Sequence, residues 1–254
     1  MRNIMENRSF MKCPSFFEEM ENSDQKKGIP HPPYTKPHRG ELILLPEFDG
    51  KNSPVCHKSY ETLLDIRRSV RQYDAATPMT QEQLAFLLWS AGGIQKAKGH
   101  ATLRPTPSGG ARHPFELYVA VQHVQGLQEG VYRYVPSEHM GEKRVSIEYI
   151  KPFTDYENEL TDAVIGQGWA AGASVALFVT CVPYKSEWRY CSLAHRVILI
   201  DLGHLGQNVM LSAAGMGLGS CCMAAYDQNL CDEFLGVDGV DEYTVYVISV
   251  GTMA

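Results

Sequence analysis

The sequence holds no Cys-x-x-Cys pair. Its seven cysteines (Cys13, Cys56, Cys181, Cys191, Cys221, Cys222 and Cys231) are odd in number and irregularly spaced, which argues against a zinc site or a redox dithiol. Several lie in apolar stretches, where a thiol behaves as a small hydrophobe. Cys221 and Cys222 are adjacent and would bridge only under strain. No apolar run is expected to reach bilayer-spanning length, and Met1 to Asp24 lacks the apolar segment of a secretory signal. These absences point to a cytoplasmic protein with no membrane partner. Charged residues make up only 20% of the chain and the net charge is -6, which disfavours general polyanion binding and so nucleic acid. No nucleophile–base–acid triad, carboxylate pair or metal cluster stands out. His195 and His204 lie nine apart, which is not ligand spacing, so no metal is expected.

Against that acidic background, Arg67-Arg68-Ser69-Val70-Arg71 concentrates three guanidiniums and a hydroxyl in five residues. Guanidinium presents a planar fork that matches phosphate oxygens two at a time, so a specific anion is one reading. A solvated basic helix end, complementing the helix dipole, is the other. A second cationic element spans 94–114, with Lys96, Lys98, Arg104 and Arg112 and no acid. Its centre, Arg104 to Pro114, holds the glycine pair Gly109-Gly110, which lets backbone approach a ligand closely. The stretch reads as one long loop, ordered by its prolines.

The 254 residues can bury one substantial core. Residues 1–56 show no periodicity, and Ile29-Pro30-His31-Pro32-Pro33-Tyr34 must run extended. This segment is expected to be an arm over the surface or over a partner subunit, with 57–254 forming the domain. Helices are expected over about 60–66 and from Thr80, where Thr80 and Gln83 make a capping box. There Leu84, Leu87, Leu88 and Ala91 form one stripe that Gly92-Gly93 ends. Further helices are expected over 157–165, 191–214 and 230–235. Strands are expected over 115–121, 131–135, 145–150, 174–182, 220–224 and 242–250. The glycines of 215–219 follow a helix and open a strand, the reverse of a dinucleotide loop, so they read as a helix stop.

In this order, Arg67 to Tyr73, Leu87 to Gly93, Arg104 to Val121, Gly130 to Tyr134 and Asp201 to Asp227 resemble the nitroreductase superfamily of flavoproteins, nearest its SagB-type dehydrogenase branch. The resemblance implies an α+β sandwich, a mainly antiparallel sheet flanked by helices, in a homodimer with FMN at each end of the interface. It assigns Arg67, Arg68, Ser69 and Arg71 to the phosphate and pyrimidine side of FMN. It places Pro107, Ser108 and Gly109 on the dimethylbenzene side, from the other subunit, and Met223-Ala224-Ala225 along the isoalloxazine. The branch's Lys-Tyr pair reads Arg189-Tyr190 here and is expected to border the substrate pocket. Arg196 and Asp201 match the family pattern as structural residues. The implied activity is hydride transfer from NAD(P)H to a small conjugated acceptor, a nitroaromatic or quinone. An azoline-oxidising peptide dehydrogenase and a flavin-binding protein without turnover are the other readings.

Overall fold

The computed structural model describes residues 4–12, 16–48 and 57–254. In chain order the strands are β1 (Leu42–Leu44), β2 (Lys96–Lys98), β3 (Ala101–Leu103), β4 (Phe115–Val121), β5 (Gly130–Tyr134), β6 (Ser146–Lys151), β7 (Val175–Cys181), β8 (Leu218–Met223) and β9 (Tyr243–Thr252). The helices are α1 (Ile4–Phe10), α2 (Phe16–Glu21), α3 (Tyr60–Ile66), α4 (Gln81–Gly92), α5 (Tyr156–Ala163), α6 (Tyr184–Tyr190), α7 (Ala194–Gly215) and α8 (Gln228–Leu235). Seven strands form one sheet in the order β1-β6-β5-β4-β7-β9-β8, and every neighbouring pair is antiparallel. The fold class is α+β.

Both sheet faces are covered. Leu117, Val119 and Val121 of β4 join Leu177 and Val179 of β7 beneath Leu84, Leu87 and Leu88 of α4 and Leu202, Leu205 and Val209 of α7. Tyr118, Ala120 and Phe178 face the other way, onto Leu160 of α5 and Phe234 and Leu235 of α8. Central strands are therefore apolar on both faces, which is why 174–182 reads as an unbroken run. The α4 start is the expected capping box, with Thr80 Oγ1 accepting from Gln83 N and Gln83 Oε1 accepting from Thr80 N.

Three expectations change. The stretch 94–114 is not one loop: β2 and β3 pair as a hairpin, and residues 109–111 form a 3-10 turn. The run Tyr184–Gly215 is long and apolar enough, at mean hydropathy 1.3, to cross a bilayer. Here it packs Ile198, Leu202, Leu205 and Val209 into the core. The strand expected over 220–224 begins at Leu218 and ends at Met223, whose side chain is buried, leaving Ala224 and Ala225 exposed beyond it.

The described part of 1–56 is tied closely to the sheet. β1 pairs with β6 at the edge, and Leu45 and Phe48 enter the core. Residues 36–40 cross a buried ion cluster. There Arg133 binds Glu148 at 2.7 Å and donates to the carbonyls of Lys36 and Pro37. Arg133 and Glu148 are register partners on β5 and β6, so the charges neutralise each other across neighbouring strands. Residues 1–3, 13–15 and 49–56, with Cys13 and Cys56, lie outside the described residues.

Candidate active site

The arginine run leaves α3 and docks on the sheet edge. Arg67 caps the helix, its N–H donating to Leu63 O. Residues 69 and 70 then add to the open side of β8: Ser69 bridges Ser220 in parallel, and Val70 N donates to Ser220 O at 2.9 Å. This register sets Ser69 beside the Cys221 thiol. Arg67 acts electrostatically on Cys222, and Arg71 on Cys221. Burial pushes the Cys222 thiol up to about 11, so both adjacent cysteines stay protonated. Arg71 stacks 5.5 Å from the Trp169 ring centroid. Arg68 folds back onto the carbonyl of Arg67 and is exposed. Among the described residues none of these three guanidiniums is paired with a carboxylate. Ala225 O accepts from Gln167 Nε2, which ties the end of β8 to the segment carrying Trp169.

Pro107, Ser108 and Gly109 sit against the first half of α7, at Val197 and Asp201. Ser108 Oγ donates to Asp201 Oδ2 at 2.6 Å, Gly109 N donates to both carboxylate oxygens, and His113 N donates to Ser108 Oγ at 2.9 Å. Burial drives Asp201 above the usual carboxylate range, and the bonds from Ser108 and Gly109 draw it back. A Cβ on Gly109 would strike Val197 Cγ1, and one on Gly110 would strike the Tyr190 hydroxyl and come within 2.9 Å of Arg189 Nε. Close packing here demands glycine at both positions. Arg189 and Tyr190 therefore flank the glycine turn directly. Behind it, Arg104, His113, Glu116 and Tyr134 line a cavity of about 20 Å³, room for a single water.

Both halves lie along α7. Asp201 anchors the Ser108 turn. Gly206, about 8 Å further along the helix, faces β8, where a Cβ on it would lie 3.7 Å from Cys222 Sγ. Lys58, just before α3, donates to Gly215 O at the helix end. Sequence reasoning missed Trp169, and it had residues 16–36 only as part of an arm over the surface or a partner, not as a strap over α6. Trp169 stands about a hundred positions from its arginine, and no local spacing joins them. Arg112 was visible as one charge among four in its stretch.

A wholly antiparallel sheet, covered on both faces and carrying along one edge arginines that no carboxylate pairs among the described residues, defines an α+β protein. The chain belongs to the nitroreductase family, whose model matches residues 64–252. It is 33% identical over 193 residues to MJ1384 of Methanocaldococcus jannaschii, which bears a nitroreductase name, covering 75% of this chain and 89% of that one. It is 26% identical over 234 residues to the trifolitoxin-processing protein TfxB of Rhizobium leguminosarum bv. trifolii. That match covers 89% of this chain but 56% of TfxB, so the chain spans little more than half of that relative.

Among solved structures, one from Ralstonia eutropha JMP134, described as a nitroreductase, superposes with TM-score 0.65 at 22% identity, covering 89% and 97% of the two chains. A chain of the E. coli microcin synthetase McbBCD complex gives 0.59 at 18%, covering 99% and 92%. A nitroreductase-type protein of Desulfovibrio desulfuricans, solved in complex with FMN, gives 0.52 at 17%, covering 78% and 88%. These three likenesses concern the fold.

Proposed function

We propose that this protein is an FMN-dependent oxidoreductase that passes hydride from NAD(P)H to a small conjugated acceptor of the nitroaromatic or quinone type. It would work as a cytoplasmic homodimer. The observation that carries the reading is the set of unpaired guanidiniums Arg67, Arg68 and Arg71 beside the edge of β8. Three guanidiniums on one short segment, none occupied by an acid among the described residues, offer forked donors to an anion, and the FMN phosphate is such an anion.

Arg67, Arg71 and Ser69 would hold the phosphate and the pyrimidine edge, and Arg68 needs only to turn from its own backbone to join them. Met223, Ala224 and Ala225 would supply backbone along the ring. Pro107, Ser108 and Gly109 would close its far side from a second copy. FMN when bound would supply the hydride chemistry. The chain's own part is to bind, orient and keep water from the ring. Asp201 does so by fixing Ser108 and Gly109, and Tyr190 by walling the pocket. Arg189 has a fixed charge and does not act as a proton-transfer base.

The test is direct. Purified protein should be yellow, and anaerobic NADH or NADPH should bleach it. A colourless protein that gains no FMN on titration would overturn the reading. The similarity to TfxB supports a second reading, a peptide-modifying dehydrogenase within a larger assembly. A flavoprotein reoxidised by an azoline peptide but by no quinone or nitroaromatic would favour it.

A further inference from the structure

Beside the glycine turn lies a second cationic cluster that the flavin reading does not use. Arg112 is 5% exposed. Its Nε donates to Lys185 O at 2.8 Å and its Nη1 to His100 O, and its guanidinium stacks 4.7 Å from the centroid of Trp188. Arg189 lies close enough to depress the Arg112 pKa by charge, second only to burial, and both arginines depress His100. Neither arginine has a carboxylate partner among the described residues. Arg112 is buried and Arg189 half-buried, and holding two such guanidiniums close together without an acid is unfavourable.

Arg189 shows where the missing negative charge belongs. Its Nε is buried and has no hydrogen-bond partner, although the guanidinium is rigid and demands acceptors. Its Nη1 donates at 2.9 Å to the side-chain oxygen of Gln25, on the strap over α6. That strap is pinned on either side: Gln25 N donates to Trp188 O, Trp188 Nε1 donates to Ile29 O, and Phe16 packs 5.8 Å from Tyr190. A neutral amide oxygen thus sits where an oxyanion would be held far more strongly.

We propose that Arg112 and Arg189 form an oxyanion subsite, with the Gln25 side chain as its neutral placeholder. The substrate would be a small molecule carrying a carboxylate or phosphate, which displaces Gln25 and takes the free edge of Arg189. The subsite adjoins Gly110 and Tyr190, so this narrows the substrate class of the function proposed above and rests on that reading for its place beside the flavin. Two oxyanions fit: the carboxylate of an aromatic acceptor and the 2′-phosphate of a nicotinamide donor.

Calorimetry on the purified holoprotein separates them and needs no turnover. One arm compares benzoate with benzamide, the other adenosine 2′-phosphate with adenosine. In one arm the anion should bind at least tenfold tighter than its neutral partner, and that arm names the source. Arg189→Gln should abolish the preference. Arg112→Gln should do the same, but it is buried, so two further variants guard against misfolding. Gln25→Glu should supply an internal carboxylate, weaken the anion at least fivefold and raise the melting temperature. Gln25→Ala should tighten the anion or leave it unchanged. Absence of an anion preference in both arms, or a preference that survives Arg189→Gln, overturns the proposal. A preference seen in protein that NAD(P)H cannot bleach would sink the oxidoreductase reading and leave the subsite standing.

Discussion

Ser108 donates its hydroxyl proton to Asp201 across 2.6 Å while accepting from the N–H of His113. One hydroxyl thereby joins the glycine turn to α7, and Gly109 N adds a second link to the same carboxylate. Asp201→Ala would strand both donors inside the protein. Each buried donor left without a partner costs about 1–3 kcal/mol. Urea unfolding should show the variant destabilised by up to about 2–6 kcal/mol, the sum for two donors, whereas Asp201→Asn, which keeps an acceptor oxygen, should lose less. Equal losses would mean that the hydrogen bonds do not hold the turn.

Gly109 packs so closely on α7 that any Cβ meets Val197. Gly109→Ala should therefore destabilise by overpacking, by about 1–3 kcal/mol. Trimming the opposing side chain should relieve it. In a double-mutant cycle, Val197→Ala should recover part of the loss, giving a favourable coupling between the two sites. Additive losses would mean that the clash is absorbed elsewhere.

His113 titrates in the fold far from its ordinary value of 6.5. Burial, reinforced by the charge of Arg104, depresses it to about 3, while Nε2 stays bonded to Thr102 O at 2.9 Å. The unfolded chain takes up a proton near pH 6.5 and the folded chain does not until about pH 3. The stability His113 contributes is whole above pH 6.5 and falls as pH drops toward 3. Its φ of +46° lies in the left-handed region, which asparagine tolerates. His113→Asn should keep that backbone and flatten the stability curve between those pH values. A variant whose acid limb matches wild type would assign the limb to other groups.

Flavin affinity should follow the arginines unequally. Arg67 is partly buried and faces Cys222, whereas Arg68 is exposed and bonded to its own backbone. Arg67→Ala should weaken FMN by about 1.5–3 kcal/mol, the range for a bond to a charged group, and Arg68→Ala by less. Trp169→Ala should also weaken it, because the ring positions Arg71. FMN titration by fluorescence reads all three, and unchanged affinity in Arg67→Ala removes the phosphate assignment.

What the sequence made legible follows from range. Thr80 and Gln83 are three apart, so the α4 cap could be read from spacing alone. The two-sided burial of β7 showed in its unbroken apolar run. α6 escaped because seven residues of mixed polarity, Tyr184 to Tyr190, carry no periodic stripe and run into α7 through Cys191, a non-glycine residue at φ +49°. β1 escaped because three residues carry no alternation, and only the edge of β6 makes them a strand. In the site, the Arg67–Arg71 cluster was legible because it is contiguous. The stacking of Arg71 on Trp169 and the hold of Gln25 on Arg189 were not, since each joins residues about a hundred or more positions apart.

The assembly can be tested through α7 itself. Its inward face fills the core, yet Leu199 and Ile200 on the outward face are 55% and 52% exposed. Gly203 and His204 continue that face one turn on and are exposed too. Two exposed aliphatic side chains with a glycine one turn on suit close helix packing against a second copy, and a two-fold partner seated there would bring Ser108 of one copy toward Arg67 of the other. Ile200→Glu should leave the single-chain core intact, because that side chain lies outside the core cluster and is more than half exposed, and should give a folded monomer by light scattering. The same variant should lose FMN, since neither copy then holds a complete site. A folded monomer that keeps its FMN would show that the glycine turn plays no part in holding the flavin, and it would return Pro107, Ser108 and Gly109 to a structural role.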